Sequence, residues 1–303
     1  MSNIKIQKLH TLTGHRDCVY TLQASDQPAV FFSGAGDGMI VRWDMNDPRE
    51  GERIAQLPNS VYALHYVPGR DILIAGHNYE GIHLLDWHNK KEISSLKLGP
   101  SAIFDIKSSG NNCFVASGDG SVTIVDLESL NIKKRLSHSE KSARTIAINA
   151  PRGEVAVGYS DNFIRVFRLA DFTLKNEWQA HTNSVFTLSY SPDFRFLLSG
   201  SRDARLKSWD VEENYRLDKE VVAHLYAINH IVFSPDSKHF VSCSLDKSIK
   251  VWQAADLTLL KVIDKARHAG HGTSVNKLLW SSFNNQLVSA SDDRTISIWD
   301  VIF

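Results

Sequence analysis

The chain has 303 residues, and its 34 basic and 34 acidic side chains leave no formal net charge. That balance excludes a bulk electrostatic pull toward nucleic acid or anionic membrane, and no run of Lys and Arg supplies a local one. No segment approaches the roughly 18 apolar residues of a membrane span, and the opening MSNIKIQKLHTLTGH lacks the apolar stretch of a signal peptide. Cys18, Cys113 and Cys243 are odd in number and form no CxxC pair, so neither a disulfide framework nor a cysteine zinc site is indicated. These features predict a cytoplasmic chain.

In chain order, Ile4–Leu12 reads as a lone strand, and a repeat begins just after it. The first unit, 14–57, holds His15, Ser33, Asp37 and Trp43. Units at 58–98, 99–138 and 139–180 are weaker copies with Leu85, Val125 and Phe167 at the Trp position. Asp119 and Asp161 keep the Asp position, whereas Tyr79 replaces it in the second unit. The pattern returns in full at 181–223 (His181, Ser199, Asp203, Trp209), at 224–270 (His224, Ser242, Asp246, Trp252) and at 271–303 (His271, Ser289, Asp293, Trp299). In all four strong units His to Ser is 18 residues, Ser to Asp is 4 and Asp to Trp is 6. The steps between Trp positions run 42, 40, 42, 42, 43 and 47. A period near 42 fits a four-stranded propeller blade, and seven such blades fill the chain as a single domain, 1–303.

Within a unit the strands are plain. SVFTLSYS, FLLSGS and LKSWDV in the fifth are β-prone runs separated by the turns PDFR and RDAR. No amphipathic stretch of three helical turns occurs, so the fold is all-β. Through Gly14-His15, Ala180-His181, Ala223-His224 and Gly270-His271, and through Trp43-Asp44, Trp209-Asp210 and Trp299-Asp300, the chain resembles the WD-repeat β-propellers. The resemblance covers essentially all of it. It implies a seven-bladed β-propeller of four-stranded antiparallel blades. The last blade would lack one strand after Val301-Ile302-Phe303, and Ile4–Leu12 would close it.

Ser, His and Asp in one unit also suit a hydrolase, in which a nucleophile, a base and an orienting acid act together. An active site occurs once, however, while this set recurs four times with a Trp that catalysis does not need. No GxSxG elbow accompanies any of the serines, and no phosphate-binding glycine loop is present. A buried hydrogen-bond network is the better reading. The histidine groupings Arg267-His268-Ala269-Gly270-His271 and His77, His83, His88 match no common zinc spacing, so no metal or cofactor is expected.

The WD-repeat resemblance also implies a binding surface. In such proteins the first strand of each blade lines the channel, which sets Tyr20, Tyr62, Phe104, Arg144, Phe186, Asn229 and Asn276 near its mouth. The residue before the blade Asp faces the same rim and gives Arg202, Leu245 and Asp292, with Asn78 at the substituted position. Tyr, Phe and Arg are the residue types that dominate interface cores. The expected function is therefore a non-catalytic scaffold, a monomeric propeller, alone or within a larger complex, that takes a protein or peptide on its top face. The rivals are an enzyme at the channel mouth, for which only Arg144, Arg202 and Asp292 are available, and a substrate-receptor subunit. The adaptor-docking box Trp-Asp-x-Arg associated with such receptors is not matched at Trp43 or Trp209. The longer last step places about five extra residues near Lys265–Ala269.

Overall fold

A computed structural model describes residues 4–303. Their strands form seven separate four-stranded antiparallel sheets. In the first sheet the strands Val19–Ala24, Val30–Ala35, Met39–Asp44 and Glu52–Gln56 follow one another outward. Five more sheets repeat that order, and the inner strand of each packs on the inner strand of the next. The circle shuts where Val19–Ala24 meets Val275–Trp280. The seventh sheet takes its outer strand from the start of the chain: Lys5–Leu12 pairs antiparallel with Ile296–Ile302, from Lys5 opposite Ile302 to Leu12 opposite Ile296. The seven-bladed propeller is thus as the repeat predicts, and its shared last blade is as the WD-repeat resemblance implies.

Burial follows strand position. The second strand of blade one, Val30–Ala35, is buried along its whole length, whereas the outer strand Leu174–Gln179 of blade four alternates between partly buried and exposed. The cores lie between blades rather than inside them. Phe32 and Ile40 of blade one, for instance, share a cluster with Val61, Leu64, Leu73 and Leu85 of blade two. Close approach needs a missing side chain at two kinds of contact. A Cβ on Gly34 would stand 2.7 Å from Cγ1 of Val61, and one on Gly200 would stand 2.7 Å from Cγ2 of Ile228. The next blade's first β-branched residue sits over that glycine.

Four blades are pinned by the predicted network. In blade one the Trp43 indole N–H donates to Ser33 Oγ at 2.8 Å, Ser33 Oγ lies 2.7 Å from His15 Nε2, and His15 Nδ1 is 3.3 Å from Asp37. The set recurs in blades five, six and seven, with His Nδ1 within 3.0 Å of Asp203, Asp246 and Asp293. Each carboxylate also accepts backbone N–H groups, as Asp203 does from Thr182 and Arg205. The loop entering the blade is thereby tied to the hairpin between its middle strands. In blades two to four, Leu85, Val125 and Phe167 take the register of Trp43, and Ala75, Val115 and Val157 that of Ser33. All six are buried, so apolar packing replaces the polar network there.

The five extra residues before blade seven fold into one helical turn, Lys265–His268, capped by Asp264, which accepts from the Arg267 N–H. Lys8 of the closing strand donates to the Ala269 carbonyl at 2.9 Å, so this loop is joined to the ring closure.

Deleting residues 1–12 removes a whole strand and bares the edge of Ile296–Ile302. The melting temperature is expected to fall by roughly 10 °C or more, well beyond the effect of trimming a loose end; calorimetry on the truncated chain checks this. Asp203→Ala leaves the His181 ring and two backbone donors unpaired and should cost on the order of 1–3 kcal/mol in denaturant unfolding.

The network also sets a pH dependence. Burial lowers the basicity of His181 and His224 against the pull of Asp203 and Asp246. Burial alone would raise those two carboxyls, but the imidazole bonds and other donors outweigh it and hold them well below the usual carboxylate range. Every one of these groups binds its proton less readily folded than unfolded, so stability is full above the unfolded histidine value near 6.5. It should decline as pH falls below about 6.5 and drop again as the carboxylates titrate below about 4, which a denaturation series across pH will show.

Candidate functional site

A backbone irregularity builds the channel mouth. In every blade the pairing of the first strand with the second slips by one residue: between Val19 and Thr21, Val61 and Ala63, Ile103 and Asp105, Ala143 and Thr145, Val185 and Thr187, Ile228 and His230, and Val275 and Lys277. The residue passed over each time is Tyr20, Tyr62, Phe104, Arg144, Phe186, Asn229 or Asn276. A β-bulge leaves such a residue out of the ladder and re-aims its side chain. All seven line one cavity of about 360 Å³ at the end of the channel.

Five of them form a continuous arc. The rings of Tyr20 and Tyr62 lie 4.6 Å apart, those of Tyr62 and Phe104 5.9 Å, and the Arg144 guanidinium is 3.9 Å from Phe104 and 4.8 Å from Phe186. Arg144 is thus clamped between two ring faces, an arrangement favourable by about 1–2 kcal/mol when desolvated. Desolvation brings it down to about 10, and among the described residues no carboxylate is paired with it. The arc closes with amides: Asn229 donates to Ser274 Oγ and the Val275 carbonyl, and Asn276 donates to the Val19 carbonyl and to Asp292.

The residues after the bulge make a second layer beneath. Asp105, Thr145, Thr187 and His230 each accept a backbone N–H from the first strand of the next blade, at 2.8 to 3.4 Å. These bonds stitch neighbouring blades together around the channel. Lys277 occupies the same place in blade seven but has no lone pair to offer. Its ammonium is partly open to the channel yet enclosed by protein, and desolvation lowers it to about 8 against the pull of Asp105. Asp105 itself is engaged by Lys107 at 3.1 Å and by the N–H groups of Ile106 and Ile146. The cavity therefore carries more cation than its one carboxylate balances.

The rim set is more scattered. The N–H groups of Arg202, Leu245 and Asp292 bond the carbonyls of Ser184, Ala227 and Ser274, two residues before the bulge in each blade. This holds them beside Phe186, Asn229 and Asn276, outside the ring of cavity-lining side chains. Arg202 is exposed, and Asp292 is used in orienting Asn276 at 2.7 Å. Leu245 shares its stretch of rim with exposed Leu225 and Tyr226, which follow His224. In blade two the hairpin differs: Tyr79 takes φ 78° and is 59% exposed, and beside it His77 and His83 face one another. His88 lies elsewhere, bonded to Asp71 at 2.7 Å.

Sequence reasoning missed the second layer, and it named His77 and His83 but set them aside on their spacing. Lys277 left a signal, since VNKLLW sets a lysine on an inner, channel-lining strand. The cross-blade acceptors left none.

Comparison with known proteins agrees with this geometry. The family model described as "WD domain, G-beta repeat" matches residues 6–44, 172–210, 216–253 and 264–300. The chain belongs to the WD-repeat family, and the matched stretches are those of the four pinned blades. It is similar to the crystal structure of the WD40 β-propeller domain of Doa1, with a TM-score of 0.86 at 17% identity over 97% of both chains. Among curated relatives, Actin-interacting protein 1 of Drosophila melanogaster is 25% identical over 214 residues, 68% of this chain and 33% of its own. Striatin of Mus musculus is 22% identical over 237 residues, 70% of this chain and 30% of its own. The chain thus spans a third or less of these relatives' length. No helix among the described residues is long and apolar enough to cross a membrane.

An amine whose proton is this weakly held should react faster than ordinary lysines. Trace carbamylation near pH 8 with a small reagent such as cyanate is expected to modify Lys277 ahead of exposed Lys91 and Lys247, read by peptide mapping.

Proposed function

We propose that the chain is a rigid, non-catalytic scaffold that binds a protein or peptide segment over the channel mouth. The observation that carries this reading is the bulged arc of Tyr20, Tyr62, Phe104, Arg144 and Phe186, contributed by five separate blades. Aromatic rings and a guanidinium fixed by the fold lose little freedom on binding, which is what interface anchors require. An uncompensated excess of positive charge at Arg144 and Lys277 favours a segment that presents an acidic side chain there. Exposed Arg202 and the apolar stretch of Leu225, Tyr226 and Leu245 extend the contact outward. One relative's name records an interaction with actin, which agrees with a binding role and says nothing of this chain's own partner. The three cysteines are unpaired, in keeping with a reducing compartment such as the cytoplasm.

The lowered ammonium of Lys277 favours a second reading, an amine nucleophile at the floor of the mouth. The two separate by experiment: a nucleophile fails as Lys277→Arg, whereas a scaffold tolerates that change.

Affinity capture should compare the wild type with a folded Tyr62→Ala/Phe186→Ala/Arg202→Ala variant. Loss of at least about tenfold in retained partner is expected, since anchors of this kind carry most binding energy. Equal retention would move the site to the blade edges or the opposite face.

A further inference from the structure

Blade two has lost all four members of the polar network, and a different polar group occupies the same hairpin. His77 ends the strand Ile72–His77 and His83 lies in the strand Gly81–Asp86, with Glu80 in the turn that joins them. The two Nε2 atoms face each other at 2.8 Å, and Glu80 Oε2 is 3.9 Å from that of His77. One ligand atom from each of the three falls within 4.8 Å of the others. We infer that His77, His83 and Glu80 form a binding site for a divalent first-row metal ion of the zinc type.

A shared proton and an ion between the rings leave the same atom, the buried His77 Nδ1, without a partner among the described residues, so the case for the ion rests on the three converging ligand atoms. A cation held by both Nε2 atoms makes both rings Nδ1–H. The His83 Nδ1 then points at Glu92 Oε2, 3.3 Å away on the outer strand. A carboxylate behind a ligating imidazole is how metal sites orient and strengthen that ligand.

The geometry also fits the ion. Tetrahedral metal–nitrogen bonds of about 2.0–2.1 Å set two imidazole nitrogens roughly 3.3 Å apart, so the rings need separate by only about half an ångström from their present 2.8 Å. The two imidazoles are borderline donors, and with one hard carboxylate they suit zinc, cobalt or nickel better than calcium or magnesium. Glu80 is exposed and sits on the turn, so a small movement brings its oxygen into range. Three protein ligands leave at least one position for water. The spacing His-x5-His matches no common zinc motif because the two ligands come from opposite arms of one hairpin, where strand register, not sequence distance, brings them together.

The test uses the untagged full chain after chelator treatment, titrated calorimetrically with Zn²⁺ and followed by the visible absorption of bound Co²⁺. One ion per chain is expected. Glu80→Gln should weaken binding at least about tenfold and His83→Gln should abolish it, while Glu92→Gln, which touches no ion, should weaken it about tenfold. Glu80 is exposed and His83 only partly buried, so both variants should keep the wild-type circular dichroism, which confirms that any loss is local. Absence of uptake by the wild type, or uptake unchanged in both His83→Gln and Glu80→Gln, would overturn the assignment.

Discussion

Closure governs everything else in this molecule. Each blade is a twisted sheet with one face on each neighbour, so no blade completes its core until the ring is shut. The two ends of the chain meet in the seventh sheet, where the strand Lys5–Leu12 zips onto Ile296–Ile302. The inner strands then stand in a circle at a spacing set by contacts such as Val61 over Gly34 and Ile228 over Gly200. The channel, its mouth and its charge balance are consequences of that circle.

Two devices hold the frame at different radii. Outside, the Trp–Ser–His–Asp networks fasten the entry loops of four blades, while three blades achieve the same with apolar side chains in the same register. Inside, Asp105, Thr145, Thr187 and His230 reach across to the neighbouring backbone. The network residues are spent on architecture, which is why a triad-like composition repeated four times carries no implication of chemistry. What remains for function are side chains that neither device uses.

The fold was legible because its signal repeats. The period carried through seven units specifies blade number, and the WD-repeat resemblance implied that the opening strand closes the last blade. Degenerate units two to four could still be aligned, since Leu85, Val125 and Phe167 keep the period even without the indole. The mouth residues were reached through resemblance rather than from the residues alone. Nothing in a string such as SVFTL announces that Phe186 is skipped by the ladder, because a bulge is a property of pairing between two strands. The acceptor role of Thr145 or His230 was hidden for a related reason, as it depends on the adjoining blade. The histidine pair was named but set aside because a motif search measures distance along the chain, whereas His77 and His83 meet across a hairpin.

The bulges have a consequence for how such a molecule changes over time. A residue that stands apart from the ladder contributes no rung to it, so exchanging its side chain leaves the strand pairing intact. Seven positions off the ladder are thereby offered around one opening, here spelled Tyr, Tyr, Phe, Arg, Phe, Asn, Asn, of which the two Asn also bond the neighbouring blade. Recognition can be rewritten letter by letter while the wheel that displays it stays the same.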